Sequence, residues 1–272
     1  MLIIKNNLMA VNASRHLGNS YNALASSVER LASGQRINSA KDDAAGLAIR
    51  ESMRADIGVI QQAIRNAQDG ISMLQTMEGA MASIDDALVR MQQLAEQAAT
   101  GSYSSAQRAV MENEFQEMRI EIDRVAGSTD YNDIKMLDNS ATVSIQFGKL
   151  SIDSISIAGS NVTSASSGLN TTGLIISNTT SAASAVTALD TAISTKDTAR
   201  STFGYKINRL ENVISALNIQ LENLQAAESR ISDADVAEEM AKMTKNQVLA
   251  QAGISMLAQA NSMQQIALEL IK

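Results

Sequence analysis

One histidine, His16, stands in a chain of 272 residues that has no cysteine, which removes most routes to a catalytic or metal site. A lone imidazole allows no paired-His zinc site, and any Ser-His-Asp triad would rest on that one side chain. His16 therefore reads as a helix-surface residue. Adjacent carboxylates, the groups that could share acid–base work, occur at Asp42/Asp43, Asp85/Asp86 and Glu238/Glu239. Neighbours in sequence point to different sides of a helix, and no apolar or basic surroundings split their pKa values, so all three pairs read as solvated charge. Met73, Met77, Met81 and Met91 sit at helical spacing and read as packing rather than copper or haem ligands. The glycines form no phosphate-cradling loop. The chain is expected to have no catalytic residue, no cofactor and no metal.

The side chains with a distinctive distribution lie at the C-terminal end. From Asn246 to Leu268 there is no charge, yet amides recur among Leu249, Ile254, Met256, Leu257, Met263 and Leu268. Such a stretch is too rich in amides for lipid and too uncharged for a solvated helix. It reads as an assembly surface covered by other copies of the same chain. A formal net charge of -7 leaves no basic stripe for nucleic acid. The helices lack the basic polar face of a membrane-surface protein, so no membrane insertion is expected. Lys5, Asn6 and Asn7 break the apolar start well short of a signal-peptide core.

The elements that must position these residues are helical. Hydrophobic residues make up 45% and aromatics 3%, with no proline, a composition suited to long helices packed through Ala, Leu, Ile and Met. Met53, Ile57, Ile60, Ile64, Ala67, Ile71, Leu74, Met77, Met81, Ile84, Leu88, Met91 and Leu94 recur every three or four residues, a coiled-coil seam on a helix from Ala44 to Ala99. Thr100-Gly101-Ser102 ends it, and Val110 or Met111, then Phe115, Met118, Ile122 and Val125, mark a second helix that stops at Gly127-Ser128-Thr129-Asp130. Val143, Ile145 and Phe147, then Leu150, Ile152, Ile155 and Ile157, predict a β-hairpin turning at Gly148-Lys149, with a bulge near Asp153. The Ser/Thr-rich run from Gly159 to Ser184 reads as an exposed loop that buries too little to order itself. Helical period returns at Phe203, Ile207, Leu210, Ile214, Leu217, Leu221 and Leu224, and a shorter seam lies at Leu17, Tyr21, Leu24, Val28 and Leu31.

One seam side chain contributes roughly 1.5–3 kcal/mol on burial, whereas ordering each backbone residue costs roughly 1–2 kcal/mol. A single-seam helix near either terminus therefore needs a second covered face, and both chain ends are expected to be disordered in the monomer and helical in an assembly.

The run Arg30-Leu31-Ala32-Ser33-Gly34-Gln35-Arg36-Ile37-Asn38-Ser39-Ala40-Lys41-Asp42-Asp43-Ala44-Ala45-Gly46-Leu47-Ala48-Ile49 resembles the N-terminal signature of bacterial flagellin. Matching blocks follow in order: Asn66 to Ser72, Glu121 to Val125, Asn208 to Leu210, Glu222 to Leu224, Ala227 to Asp235 and Met256 to Asn261. Gln35 stands where the family usually has Leu, and Tyr131-Asn132-Asp133 replaces the commoner Phe-Asn-Gly.

The resemblance implies a mainly α fold, an elongated antiparallel helical coiled-coil rod formed by both chain ends with a small central β-hairpin. Residues 1–42 with 233–272 would form an inner coiled-coil domain, 43–140 with 180–232 a helical rod domain, and 141–179 a hairpin and outer loop; the large outer domains of longer relatives would be missing. It implies a structural subunit exported unfolded through the flagellar type III pathway and polymerised into an extracellular filament for swimming. Implied partners are copies of itself, hook-junction and cap proteins, and a secretion chaperone on the tail. A vertebrate Toll-like receptor would meet Arg90, Leu94 and Glu114. Lys41, Asp42 and Asp43 would lie in the spoke between inner coil and rod, either as solvated charge or as ion pairs between subunits. The hydroxyl-rich loop could be glycosylated, with plain solvated loop the alternative. A hook-filament junction protein or a chemoreceptor-type signalling rod are the alternative functions.

Overall fold

The computed structural model describes residues 6–138 and 141–269. Among these the protein is mainly α, in the order α1 (Leu8–Ser33), α2 (Ala44–Ala99), α3 (Ser105–Ser128), β1 (Thr142–Gln146), β2 (Ser154–Ala158), α4 (Thr179–Ser232) and α5 (Val236–Glu269). The chain divides into two compact units, one of residues 1–57 and 222–272, the other of residues 58–221.

The second unit holds the main core. Leu74, Met77, Met81, Ile84, Leu88, Met91 and Leu94 of α2 are buried in one cluster with Phe115 and Ile122 of α3 and Leu189, Phe203 and Leu210 of α4. The three-and-four spacing places these side chains on one stripe of α2, and burying each gives about 1.5–3 kcal/mol. α3 starts at a capping box, in which the Ser104 hydroxyl accepts from the Gln107 amide and the Gln107 side chain accepts from the Ser104 amide. Its start carries Val110 out to solvent and turns Met111 toward the core.

β1 and β2 form an antiparallel hairpin in which Val143 faces Ile157 and Ile145 faces Ile155. The period of two puts these four toward the core while Ser144 and Ser156 point away. The connection differs from the tight turn expected at Gly148-Lys149. It spans residues 147–153, and Leu150 and Ile152 lie exposed in it rather than in a strand. The Asp153 carboxylate accepts from the Leu150 amide at 3.0 Å, giving the chain a side-chain partner in place of a strand ladder.

Residues 159–178 also depart from the expected unordered loop. Val162, Leu169 and Ile176 are fully or nearly buried, and three polar side chains of α3 hold the segment. Asp123 accepts from the Ser164 amide and hydroxyl, both at 2.7 Å, Glu112 accepts from the Ile176 amide, and Gln116 donates to the Leu174 carbonyl at 3.1 Å. A few well-spaced apolar residues and bonded hydroxyls order a stretch whose average composition suggested otherwise. Asp123→Ala would leave the buried Ser164 amide without its partner, at a cost of about 1–3 kcal/mol. Thermal denaturation of the monomer should show that loss, together with faster amide exchange at Ser164.

In the first unit α1 and α5 run antiparallel, since Asn7 donates to the Ala260 carbonyl at 3.0 Å while Arg30 approaches Glu239 at 3.9 Å. The residues turned inward are Ala10, Ala13, Leu17, Ser20, Leu24, Ser27 and Leu31 on α1, and Met243, Asn246, Ala250, Gly253, Leu257 and Ala260 on α5. Tyr21 and Val28, expected in the α1 seam, are about half exposed instead. Small residues take their place because the helices approach closely: a Cβ on Gly253 would lie 3.1 Å from Leu17 Cδ1. The two interhelical breaks also pair with each other. The Arg36 amide donates to the Ser232 carbonyl at 2.7 Å, and the Ala234 amide to the Gly34 carbonyl at 3.0 Å.

Candidate functional site

The first unit hides little apolar surface within itself. Among the described residues, its buried apolar side chains are Ile37, Ala250 and Ala260. Large side chains point outward instead. Leu249, Ile254, Met256 and Met263 are 46%, 49%, 63% and 41% exposed on α5, joined by Val248 and Ile266, while Leu8, Met9 and Val11 are exposed on α1. Of the tail residues singled out in the sequence, Leu257 turns toward α1, and the side chain of Leu268 lies outside the described residues. A helix that covers Ala250 and Ala260 and exposes Leu249, Ile254, Met256 and Met263 presents a contact surface.

The charged turn before α2 has carboxylates with partners inside the chain. Asp42 accepts from the amides of Asn38 and Ser39 and from the Ser39 hydroxyl, and Arg30 stands 3.7 Å away. The Ser39 hydroxyl and amide, then the Asn38 amide and the Arg30 charge, hold the Asp42 carboxyl below its ordinary pKa. Asp43 accepts from the Gly46 amide at 2.8 Å, satisfying an unpaired donor in the first turn of α2. Lys41 is exposed. Beneath this turn Arg50 is nearly buried, donating to the Ile37 carbonyl at 2.7 Å and to Gln35 Oε1 at 3.0 Å.

Two of the paired carboxylates also differ from solvated charge. Glu239 is almost fully buried, 3.6 Å from Lys242 and 3.9 Å from Arg30. Asp85 pairs with Lys196, a lysine 1% exposed within α4. Burial alone would depress the Lys196 pKa, but the hydrogen bonds and charges of Asp197 and Asp85 outweigh it and raise the pKa above the ordinary value. Lys196 escaped the sequence reading although a signal was there: Ala182, Ala185, Leu189, Ala192, Lys196, Ala199 and Phe203 keep one unbroken three-four step.

On the second unit, Arg90 donates through Nε and Nη2 to Glu114 Oε1 at 2.7 and 2.5 Å, joining α2 to α3 at the surface. Leu94 is buried at 2% exposure, one turn further along α2. The accessible part of this trio is therefore the ion pair. His16 is exposed on α1. Among the described residues no cluster of three His, Asp or Glu side chains has metal-binding geometry, and no helix is long and apolar enough to cross a membrane.

Comparison with known proteins gives a consistent set of likenesses. The model of the bacterial flagellin N-terminal helical region matches residues 4–142, and that of the C-terminal helical region matches residues 186–271. A flagellin of Halalkalibacterium halodurans is 42% identical over 272 residues, with the whole of each chain covered. A flagellar filament 33 kDa core protein of Treponema phagedenis is 38% identical over 287 residues, again covering both chains fully. Among solved structures, Bacillus cereus flagellin superposes with a TM-score of 0.52 at 32% identity, covering 60% of this chain and 94% of that one. A hook-associated flagellar protein of Vibrio parahaemolyticus shares the fold at a TM-score of 0.61 and 15% identity, covering 71% of this chain and 100% of that one.

Proposed function

The chain belongs to the bacterial flagellin family, and from that membership and the uncovered faces of α1 and α5 we infer that it is a structural subunit that polymerises into the flagellar filament. One observation carries the reading: the first unit is nearly without a core of its own and turns Leu249, Ile254, Met256 and Met263 outward. Copies of the same unit, stacked side by side, would cover those side chains and give both helices a second buried face. In this reading residues 1–42 with 233–272 form the filament's inner layer, and the antiparallel α1–α5 pair is the geometry of the assembled subunit. Residues 43–140 with 180–232 form the rod beyond it, with 141–179 facing outward. The family relationship favours this over a hook-filament junction role, because the likeness to flagellins extends over the whole chain at 42% identity. Purified protein held at neutral pH with seeds or precipitant should form long filaments of uniform diameter in electron micrographs. Material that stays monomeric at high concentration would overturn the reading.

Export and partners follow from the same chemistry. A chain with no proline and no cysteine has no slow prolyl isomerisation and no disulfide to obstruct passage through a flagellar type III channel in an unfolded state. Before export an uncovered α5 would promote polymerisation in the cell, so a dedicated chaperone covering residues 233–272 is the natural partner, with hook-junction and cap proteins meeting the filament at its ends. Lys41, Asp42 and Asp43 would lie at the spoke between the layers; all three are exposed, and the two carboxylates also have partners within the chain. For a vertebrate Toll-like receptor, the Arg90–Glu114 pair offers charge and hydrogen bonds, and buried Leu94 supports α2 beneath it. Arg90→Ala is expected to weaken a receptor reporter response to purified monomer by tenfold or more, given about 1.4 kcal/mol or more for a lost charged contact at an interface. An unchanged response would remove the pair from the receptor surface.

A further inference from the structure

We propose that Met256 and Met263 form a modification site at which a peroxide switches off assembly: oxidation of the two thioethers to sulfoxides keeps the subunit unpolymerised, and their reduction restores it. The proposal rests on the reading of α5 as a contact surface between copies. The chain has no cysteine and no tryptophan, so thioethers are its most oxidisable groups. The fold sorts them by unit. In the second unit Met73, Met77, Met81, Met91 and Met136 are at most 2% exposed, out of reach of a dissolved oxidant. In the first unit Met256 is 63% exposed and Met263 41%. Met9 and Met240 are exposed as well, but neither lies in the uncharged stretch of α5.

The position of the two residues gives oxidation its effect. α5 turns Asn246, Ala250, Gly253, Leu257 and Ala260 toward α1. Leu249, Ala252, Met256, Gln259, Met263 and Ile266 repeat at the same three-and-four step but one residue earlier, a rotation of about 100°. They form a second seam, exposed along its whole length in the single chain. Methionine suits such a seam, because its flexible thioether adapts to the side chains of a neighbouring copy. In the oxidation the O–O bond of the peroxide breaks, one oxygen bonds to sulfur, the other leaves as water, and the sulfur gives up two electrons. The sulfoxide oxygen is a polar acceptor. Water solvates it in the single chain, whereas between copies it would be covered in a stretch without charge from residue 246 to 268, and burying an acceptor without a donor is unfavourable. The penalty therefore falls on association and spares the fold. Filaments already formed cover the seam and are protected. Reversal takes two electrons and two protons from a dithiol, which becomes a disulfide as the sulfoxide oxygen leaves as water. The chain has no thiol of its own, so an external reductase with a dithiol must supply them.

The test treats full-length monomer with hydrogen peroxide, removes the excess with catalase, and measures critical concentration by sedimentation and sulfoxide content by peptide mass spectrometry. Sulfoxide should appear at Met256 and Met263 well before Met73, Met77, Met81 and Met91, with the melting of the second unit unchanged. The critical concentration should rise tenfold or more and return on treatment with methionine sulfoxide reductases and dithiothreitol. After partial oxidation, pelleted filaments should be depleted of sulfoxide at both positions relative to the supernatant. Met256→Leu with Met263→Leu, a swap that keeps volume and apolarity, should polymerise as the parent does and resist the peroxide. Equal sulfoxide at both positions in pellet and supernatant overturns the proposal, as does a doubly substituted chain that peroxide inhibits as strongly as the parent. Untreated chain that forms no filaments refutes the filament reading itself, whereas oxidised chain that polymerises like untreated chain refutes this inference alone.

Discussion

Ile254→Asp should raise the critical concentration for polymerisation by at least about a hundredfold while leaving the melting of the second unit unchanged. In the single chain Ile254 is 49% exposed, so the substitution removes little contact between α1 and α5. In the filament that side chain would be covered by a neighbour, and its burial is worth about 1.5–3 kcal/mol. The carboxylate in its place would meet an apolar contact with no cation nearby on its own helix, since residues 246–268 carry no charge. Desolvating an unpaired charge adds further cost. A combined loss of about 3 kcal/mol is two orders of magnitude in association at about 1.4 kcal/mol per tenfold. Sedimentation across a concentration series measures it, with Ser166→Asp, in the exposed bend of the second unit, as a control for added charge. Filaments of the variant forming at the parent's concentration would show that this face of α5 is not buried in the assembly.

The parts of the fold legible in the sequence were those where large apolar residues repeat without interruption. The bounds of α2 coincide with those expected, Ala44 and Ala99, because a strong seam runs between a charged turn and Thr100-Gly101-Ser102. The hairpin strands were legible from the alternation of Val143 and Ile145 and of Ile155 and Ile157. The connecting loop was not, because Leu150 and Ile152 continue the apolar count in sequence although the Asp153 carboxylate holds the backbone out of the ladder.

Where packing depends on small or polar side chains, hydrophobicity misled. Tyr21 and Val28 have the right spacing and size for the α1 seam, yet the approach of Gly253 to Leu17 leaves room only for Ala10, Ala13, Ser20 and Ser27 along much of it. The start of α4 at Thr179, well before Phe203, was hidden for the same reason, since its first turns bury alanines. Asp85 and Glu239 were read as surface charge because Lys196 and Arg30 are distant in sequence, and only the unbroken seam step of α4 marks Lys196 as buried. The contact surface was legible in kind, as a stretch without charge, but not in orientation. Only the structure distinguishes Leu257, which faces α1, from Leu249, Ile254, Met256 and Met263, which face away.

That orientation leads to a second expected result: in dilute monomer the amides of α1 and α5 exchange with solvent far faster than those of α2, α3 and α4 in the second unit, and polymerisation reverses this. α1 has 26 residues and α5 has 34, and ordering each residue costs about 1–2 kcal/mol of backbone entropy before any gain. Against that the first unit sets Ile37, Ala250 and Ala260 as buried apolar side chains, with Leu17, Leu24, Leu31 and Leu257 part-covered. Alanine and glycine bring the helices together but remove little apolar area from water, so the pair by itself opens at small free-energy cost. The second unit has the opposite composition inside, with Phe115, Phe203, Leu74 and Ile84 buried, and its amides open only with the unit as a whole. Mass-resolved hydrogen exchange on monomer and filament separates the two. Protection of both end helices in dilute monomer, equal to that of the buried part of α2, would mean that α1 and α5 need no neighbour. Addition of the flagellar export chaperone to monomer should protect α5 and leave α1 exchanging, because covering one outward face stabilises the helix that carries it. This asymmetry distinguishes a dedicated partner from polymerisation, which would slow exchange in both helices together.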